Sequence, residues 1–323
     1  MAVVKPQTPG LIDTISAGYV ALNRRLWVVM IPIVLDLYLW LGTRLSLAPL
    51  IRSLSDQVAS ALVQVSPDIA QPATLVQNLQ QADLRVLPAW VDFVPLLLPE
   101  FLLPPVGKQA ALPEAAVVPV TNWWVVIGAV LLINLVTLLV SSLFLSLLAG
   151  AVASAGDHRL PHLRRMFNIA GRIGSFLLVL IGAGLLLGMP FLVFTALVVS
   201  LIPGTLLPAA FAWAIALFWV WVYTSFGIEA ILMSDVGPLR AIYNSVHIVR
   251  HNLLSTLALL LLSMVIVSGL AVIWRALATT HLGMVVAISG SAYVQSGLIA
   301  ARLVFYRDRL QRRQGAGSPV SVA

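Results

Sequence analysis

From Asn252 to Ala301 the chain carries one charged residue, Arg275; from Ile173 to Ser234 it carries only Glu229; from Trp123 to Ala155 it carries none. Runs of this length leave few ways to fold. A helix needs about 20 apolar residues to cross the hydrocarbon core of a bilayer. The shortest run therefore holds one span, and each of the others holds two. Inside lipid every backbone N–H must find its carbonyl within the segment, so such spans are helices. Of the 323 residues, 60% are hydrophobic and 10% are charged, where a soluble domain carries about 25% charged residues. The expected class is all-α: a polytopic helical membrane bundle with six transmembrane helices.

Taken in order, residues 1–25 read as an N-terminal interfacial helix ending at Arg24 and Arg25, and 26–51 as the first transmembrane segment, apolar from Leu26 to about Leu47. Ser46-Leu47-Ala48 loosely mimics a signal-peptide cleavage site. Arg44 inside that site and the long apolar core instead predict a retained anchor. Residues 52–121 form the one long connection, with six acidic residues against three basic ones, and read as an extracytoplasmic insertion. Within it, 86–106 is very apolar but carries five prolines, which forbid an unbroken spanning helix. It is expected either to form a lid or to pack over the outer ends of the spans. Residues 122–313 make a five-helix membrane region with cytoplasmic interfacial helices, and 314–323 a disordered tail.

Two stretches within that region have helical spacing rather than uniform apolarity. In Gly237–Met264, Leu239, Ile242, Tyr243 and Val246 fall on one helical face, and Arg240, Asn244, His247 and His251 on another. Such a segment lies in the membrane interface before the chain turns inward. Leu163-Arg164-Arg165-Met166-Phe167-Asn168 aligns with Leu239-Arg240-Ala241-Ile242-Tyr243-Asn244 at an offset of 76. The helix Ile12 to Tyr19 is a weaker third copy, 151 residues before the second. The expectation is a threefold internal repeat of interfacial helix plus helical hairpin, its first hairpin opened by the insertion. Small residues recur every four positions at Ser142, Ser146, Gly150 and Ser154, and again at Ala292, Ser296 and Ala300; Gly184 and Gly188 have GxxxG spacing. All three patterns predict close helix approach.

Charge sets the orientation. Thirteen of the nineteen Lys and Arg residues fall in 1–25, 156–172, 234–251 and 306–323. Six spans with both termini cytoplasmic place all four stretches on one side. The location implied is a prokaryotic cytoplasmic membrane.

Residues 229–313 carry a further set of features: Glu229 near the end of a span, the segment PLRAIYNSVHIVRHN, and the closing FYRDRL. In these the chain resembles the membrane domain found beside some glycerophosphodiester phosphodiesterases, and related uncharacterised multi-pass proteins. The resemblance implies a fold rather than an activity, since phosphodiesterase activity in those relatives would reside in a separate soluble barrel.

Groups suited to chemistry are sparse. There is no cysteine, which excludes disulfides, thiolate metal sites and thiol nucleophiles. His247 and His251 are four apart but lack the glutamate of an HExxH site, and His158 and His162 are separated by Pro161. No catalytic group, cofactor or metal is expected, and no nucleic acid. Asp36 and Glu229 lie within spans, where an ionisable residue is a functional suspect or a packing device; Gln295 joins them as a polar residue of the last span. Arg164, Arg165, Arg172, Arg240 and Arg250 are the candidate contacts for anionic lipid. The expected role is a non-catalytic integral membrane protein that organises lipid or binds a membrane-protein partner. The alternative is a small transporter or channel with a pathway near Asp36 and the polar residues of the sixth span.

Overall fold

The computed structural model describes residues 10–54, 85, 93–97, 117–153 and 163–316, apart from the side chains of 163, 164, 203 and 313–316. The elements are α1 (Leu11–Asn23), a 3-10 turn (Leu26–Val29), α2 (Met30–Leu41), β1 (Arg44–Ser46), β2 (Val117–Pro119), α3 (Trp123–Ala153), α4 (Leu163–Leu201), α5 (Leu206–Thr224), α6 (Gly227–Ser234), α7 (Pro238–His251), α8 (Leu253–Leu277) and α9 (His281–Ala316). Among the described residues, five segments are long and apolar enough to cross a membrane: Trp123–Ala153, Arg165–Leu201, Leu206–Ser234, Leu253–Leu277 and His281–Arg312. They fit an integral multi-pass membrane protein. Along α4 and α5, Leu186, Leu187, Phe194, Leu207, Phe211 and Trp221 are all exposed, a continuous apolar surface suited to acyl chains rather than water.

The chain divides into two compact units. The first comprises Met1–Arg25, Leu145–Met264 and Gly297–Ala323. Its centre is made by Leu22, Ile173, Phe176, Phe226, Val249 and Tyr306, each at most 2% exposed. Here α7 packs on α4, α5 and α6. Gly237 in extended conformation and Pro238 at the first position start α7, and Arg250 and His251 complement its C-terminal dipole. Asp235, at φ 52°, takes the left-handed conformation that lets α6 turn into α7.

The second unit comprises Leu26–Phe144 and Val265–Ser296. One apolar cluster joins Trp40, Leu97, Ala278, Met284, Ala287 and Ile288; another joins Leu47, Leu50, Val120 and Val126. Strands β1 and β2 pair in parallel, Leu45 opposite Val118. This is a small departure from the all-α expectation. Three residues per strand carry no periodicity to read, and β-branched Val117 and Val118 suit an extended chain.

Other boundaries also differ. The first apolar helix ends at Leu41, and Arg44–Ser46 is extended, so the helical part of the first predicted span is short. The second interfacial helix does not stand apart: α4 is continuous from Leu163 through Pro190 to Leu201. The fourth span is broken at Ser225–Phe226. Helix α9 begins at His281 and runs on to Ala316, past the start of the tail segment at 314. Most of 52–121 and Ser154 lie outside the described residues.

Candidate functional site

The break between α5 and α6 creates the densest polar node in the first unit. Interrupting a helix leaves carbonyls and N–H groups without partners, and side chains from two other helices supply them. The Ser245 hydroxyl on α7 donates to the Tyr223 carbonyl at 2.7 Å and accepts from the Phe226 N–H at 3.1 Å. The Arg302 guanidinium on α9 donates to the Ser225 carbonyl. The same guanidinium lies over the Phe226 ring, 5.7 Å from its centre, and Phe226 stacks on Phe305. One turn into α6, buried Glu229 places Oε1 2.8 Å from Arg302 Nε. That contact is too far off the N–H axis to be an aligned hydrogen bond, and Oε2 has no hydrogen-bond partner among the described residues. Sequence position allowed Glu229 to snorkel toward the headgroups; instead it points inward and is paired.

Asp36 is fully buried on α2 and its Oδ2 accepts from the Leu97 N–H at 2.8 Å. Ser141 on α3 accepts from the Phe93 N–H at 3.4 Å. Arg85 donates to the Leu39 carbonyl at 3.2 Å. Asp36 and Ser141 thus satisfy backbone N–H groups of the proline-rich connection, Arg85 in return satisfies a carbonyl of α2, and Val94 and Leu97 are buried. Of the 86–106 stretch, residues 93–97 pack; the remainder lies outside the described residues. Gln295 donates to Ser291 Oγ, 2.7 Å away on its own helix. Asp36 and Gln295 belong to the second unit and Glu229 to the first, so each is held by its own local partners.

The basic candidates are placed unequally. Arg172 forms an ion pair with Asp235. Arg165, Arg240 and Arg250 are exposed, with no hydrogen bond or ion pair to them among the described residues. The Arg164 side chain lies outside the described residues. On α7 the buried face is Ala241, Ser245, Ile248 and Val249, not the predicted stripe: Leu239 is 71% and Tyr243 62% exposed. Small residues let the helix seat closely, and the large apolar side chains are left outward. Tyr243, His247 and His251 continue that outward line as ring contacts four residues apart. Among the described residues no three His, Asp or Glu side chains gather to hold a metal ion.

Sequence reasoning missed Arg302 and Ser245. Arg302 was discoverable: it ends the run that begins at Asn252, within the last apolar helix, and a charge there needs a counter-charge. Ser245 gave no comparable signal. No protein-family model, no curated protein and no solved structure matches this chain.

Proposed function

We propose that this chain is a non-catalytic, lipid-organising module of a prokaryotic cytoplasmic membrane, with six spans and both termini cytoplasmic. The observation that carries the reading is the outward face of the interfacial segments. Arg240 and Arg250 on α7, and Arg165 on the first turn of α4, are exposed and unpaired among the described residues, beside exposed Leu239, Tyr243 and Phe167. Apolar side chains at that position set depth in the interface, so the guanidinium groups meet headgroups rather than bulk water.

The first of the six spans would be Leu26–Leu41, an apolar helical stretch below the length of the other five, completed by extended residues before β1. A threefold repeat gains support from burial. At offsets of 76 and 151, Gly18, Ile169 and Ser245 are all buried, as are Leu22, Ile173 and Val249, while Ser16, Phe167 and Tyr243 are all exposed. The resemblance of 229–313 to the phosphodiesterase-associated membrane domain fits a module that serves a partner protein or the bilayer. A transporter or channel would need water along Asp36 and the serines of α9; Asp36, Ser291 and Ser296 are at most 1% exposed, which weighs against it.

Native mass spectrometry of the chain in mild detergent tests the reading. Replacing Arg165, Arg240 and Arg250 by Gln should lower retention of phosphatidylglycerol by about fivefold per arginine at low salt, and the difference should shrink as salt rises. Equal retention by both forms would reduce these arginines to topology signals and remove the outward face as a lipid-reading surface.

A further inference from the structure

A cleft of about 400 Å³ opens along α1 in the first unit, and no sequence pattern pointed to it. One wall is a single face of α1 bearing Ser16, Ala17, Val20 and, just past the helix end, Arg24; the other is formed by Val152 at the end of α3 and by Val304 and Arg307 on α9. The close approach of α1 to α9 fixes these walls. A Cβ on Gly18 would collide with the backbone of Ala301, and one on Gly297 with the Tyr19 ring.

The two arginines differ in kind. Arg307 is fixed: Nη1 donates to the Val152 carbonyl at 2.5 Å, and Nε and Nη2 donate to the Asp308 carboxylate at 3.3 and 3.2 Å. Arg24 is exposed, with no hydrogen bond or ion pair to it among the described residues. The one acid in the lining, Asp13, already accepts from the Gly10 N–H at 2.8 Å. The walls thus carry two guanidinium groups, of which Arg307 is already paired with Asp308, and the carboxylate of Asp13, with valine and alanine between them. Val20, on the cleft wall, is 51% exposed, and Ile12 on the same helix 79%.

We infer that this cleft binds an anionic phospholipid, with its phosphodiester between Arg24 and Arg307 and its glycerol ester against Val20 and Val304. Arg24, a cation without a hydrogen bond or ion pair among the described residues, selects a phosphate, because guanidinium donors pair with phosphate oxygens through charge-assisted hydrogen bonds. The apolar walls select a lipid over a free anion, since only a lipid would cover exposed Val20 as it binds. The volume lies within the range of ligand clefts. The inference rests on the lipid-organising reading and gives it a site distinct from the outward arginines of α4 and α7.

The full chain in detergent, titrated with phosphatidylglycerol and observed by native mass spectrometry, tests it. The unmodified chain should take up a first lipid ahead of the rest. Arg24→Gln should weaken that first step about fivefold, and Ala17→Phe, which fills the cleft without changing charge, should remove it. Both positions are exposed, so both variants should fold. Glycerol 3-phosphate at the same concentration should leave the first lipid in place. First-lipid binding unchanged in both variants, or displacement by glycerol 3-phosphate, would overturn the cleft. If lipid is lost only when Arg165, Arg240 and Arg250 are replaced, the cleft fails and the module reading stands. If it is lost only in the cleft variants, the site stands and the outward arginines do not read lipid.

Discussion

At the scale of single residues, the bundle shows what a charge inside a membrane helix needs. Glu229 and Arg302 are each other's counter-charge, and Arg302 also stabilises the interrupted helix by capping the Ser225 carbonyl. Breaking such a pair typically costs about 3–5 kcal/mol because the surviving charge is left buried. Arg302 retains 29% side-chain exposure, so Arg302→Met should fall near the lower end of that range, read as a lowered thermal midpoint in detergent. Adding Glu229→Leu to Arg302→Met should restore most of the loss. If the double variant is no better than the single one, the carbonyl cap rather than the ion pair holds the node. Glu229 stood out in the sequence because it was the one charge in a long apolar run; Arg302 did not, because it falls where that kind of run ends and reads as the beginning of the basic tail. Asp36 was legible as a buried acid within a span, but one of its donors is a backbone N–H 61 residues away, and no side-chain pattern announces a main-chain donor.

Among the elements, the long helices were the legible part. Charge-free length marks them directly, and Trp123–Ala153 ends within two residues of its expected limit. What could not be read was which face each helix buries. In water the large apolar side chains of an amphipathic helix turn inward; next to lipid they need not, and α7 turns Ala241 and Ser245 inward instead. The small-residue patterns divided in the same way. Ala292, Ser296 and Ala300 are fully buried, whereas a Cβ on Gly184 would meet nothing within 4 Å. Gly184→Ala should therefore leave stability unchanged or slightly raised. Gly18→Ala should force α1 from the Ala301 backbone at a cost of about 1–3 kcal/mol, seen as faster proteolysis after Arg24 and Arg25. Equal behaviour of the two variants would mean that α1 does not depend on that contact.

For the whole molecule, the number of crossings decides where the termini lie. The absence of cysteine gives a clean background for single-cysteine labelling. With six spans, cysteines at Gly204 and Thr279 should react with an impermeant maleimide in intact cells, and those at Gly237 and Arg312 only after permeabilisation. Five spans would put the N-terminus on the far side, and a cysteine at Gly10 would then label in intact cells. The contact between Asp36 and Leu97 has a consequence in time as well as in space. The carboxylate is made first, and at about 5–20 residues per second the 61 residues separating it from its donor take roughly 3–12 s to synthesise. For that interval the first apolar helix holds an acid whose Leu97 donor does not yet exist, so its final depth and packing cannot be fixed as it leaves the ribosome. The packing of α2 is therefore completed late, when Leu97 of the proline-rich connection reaches a helix made well before it.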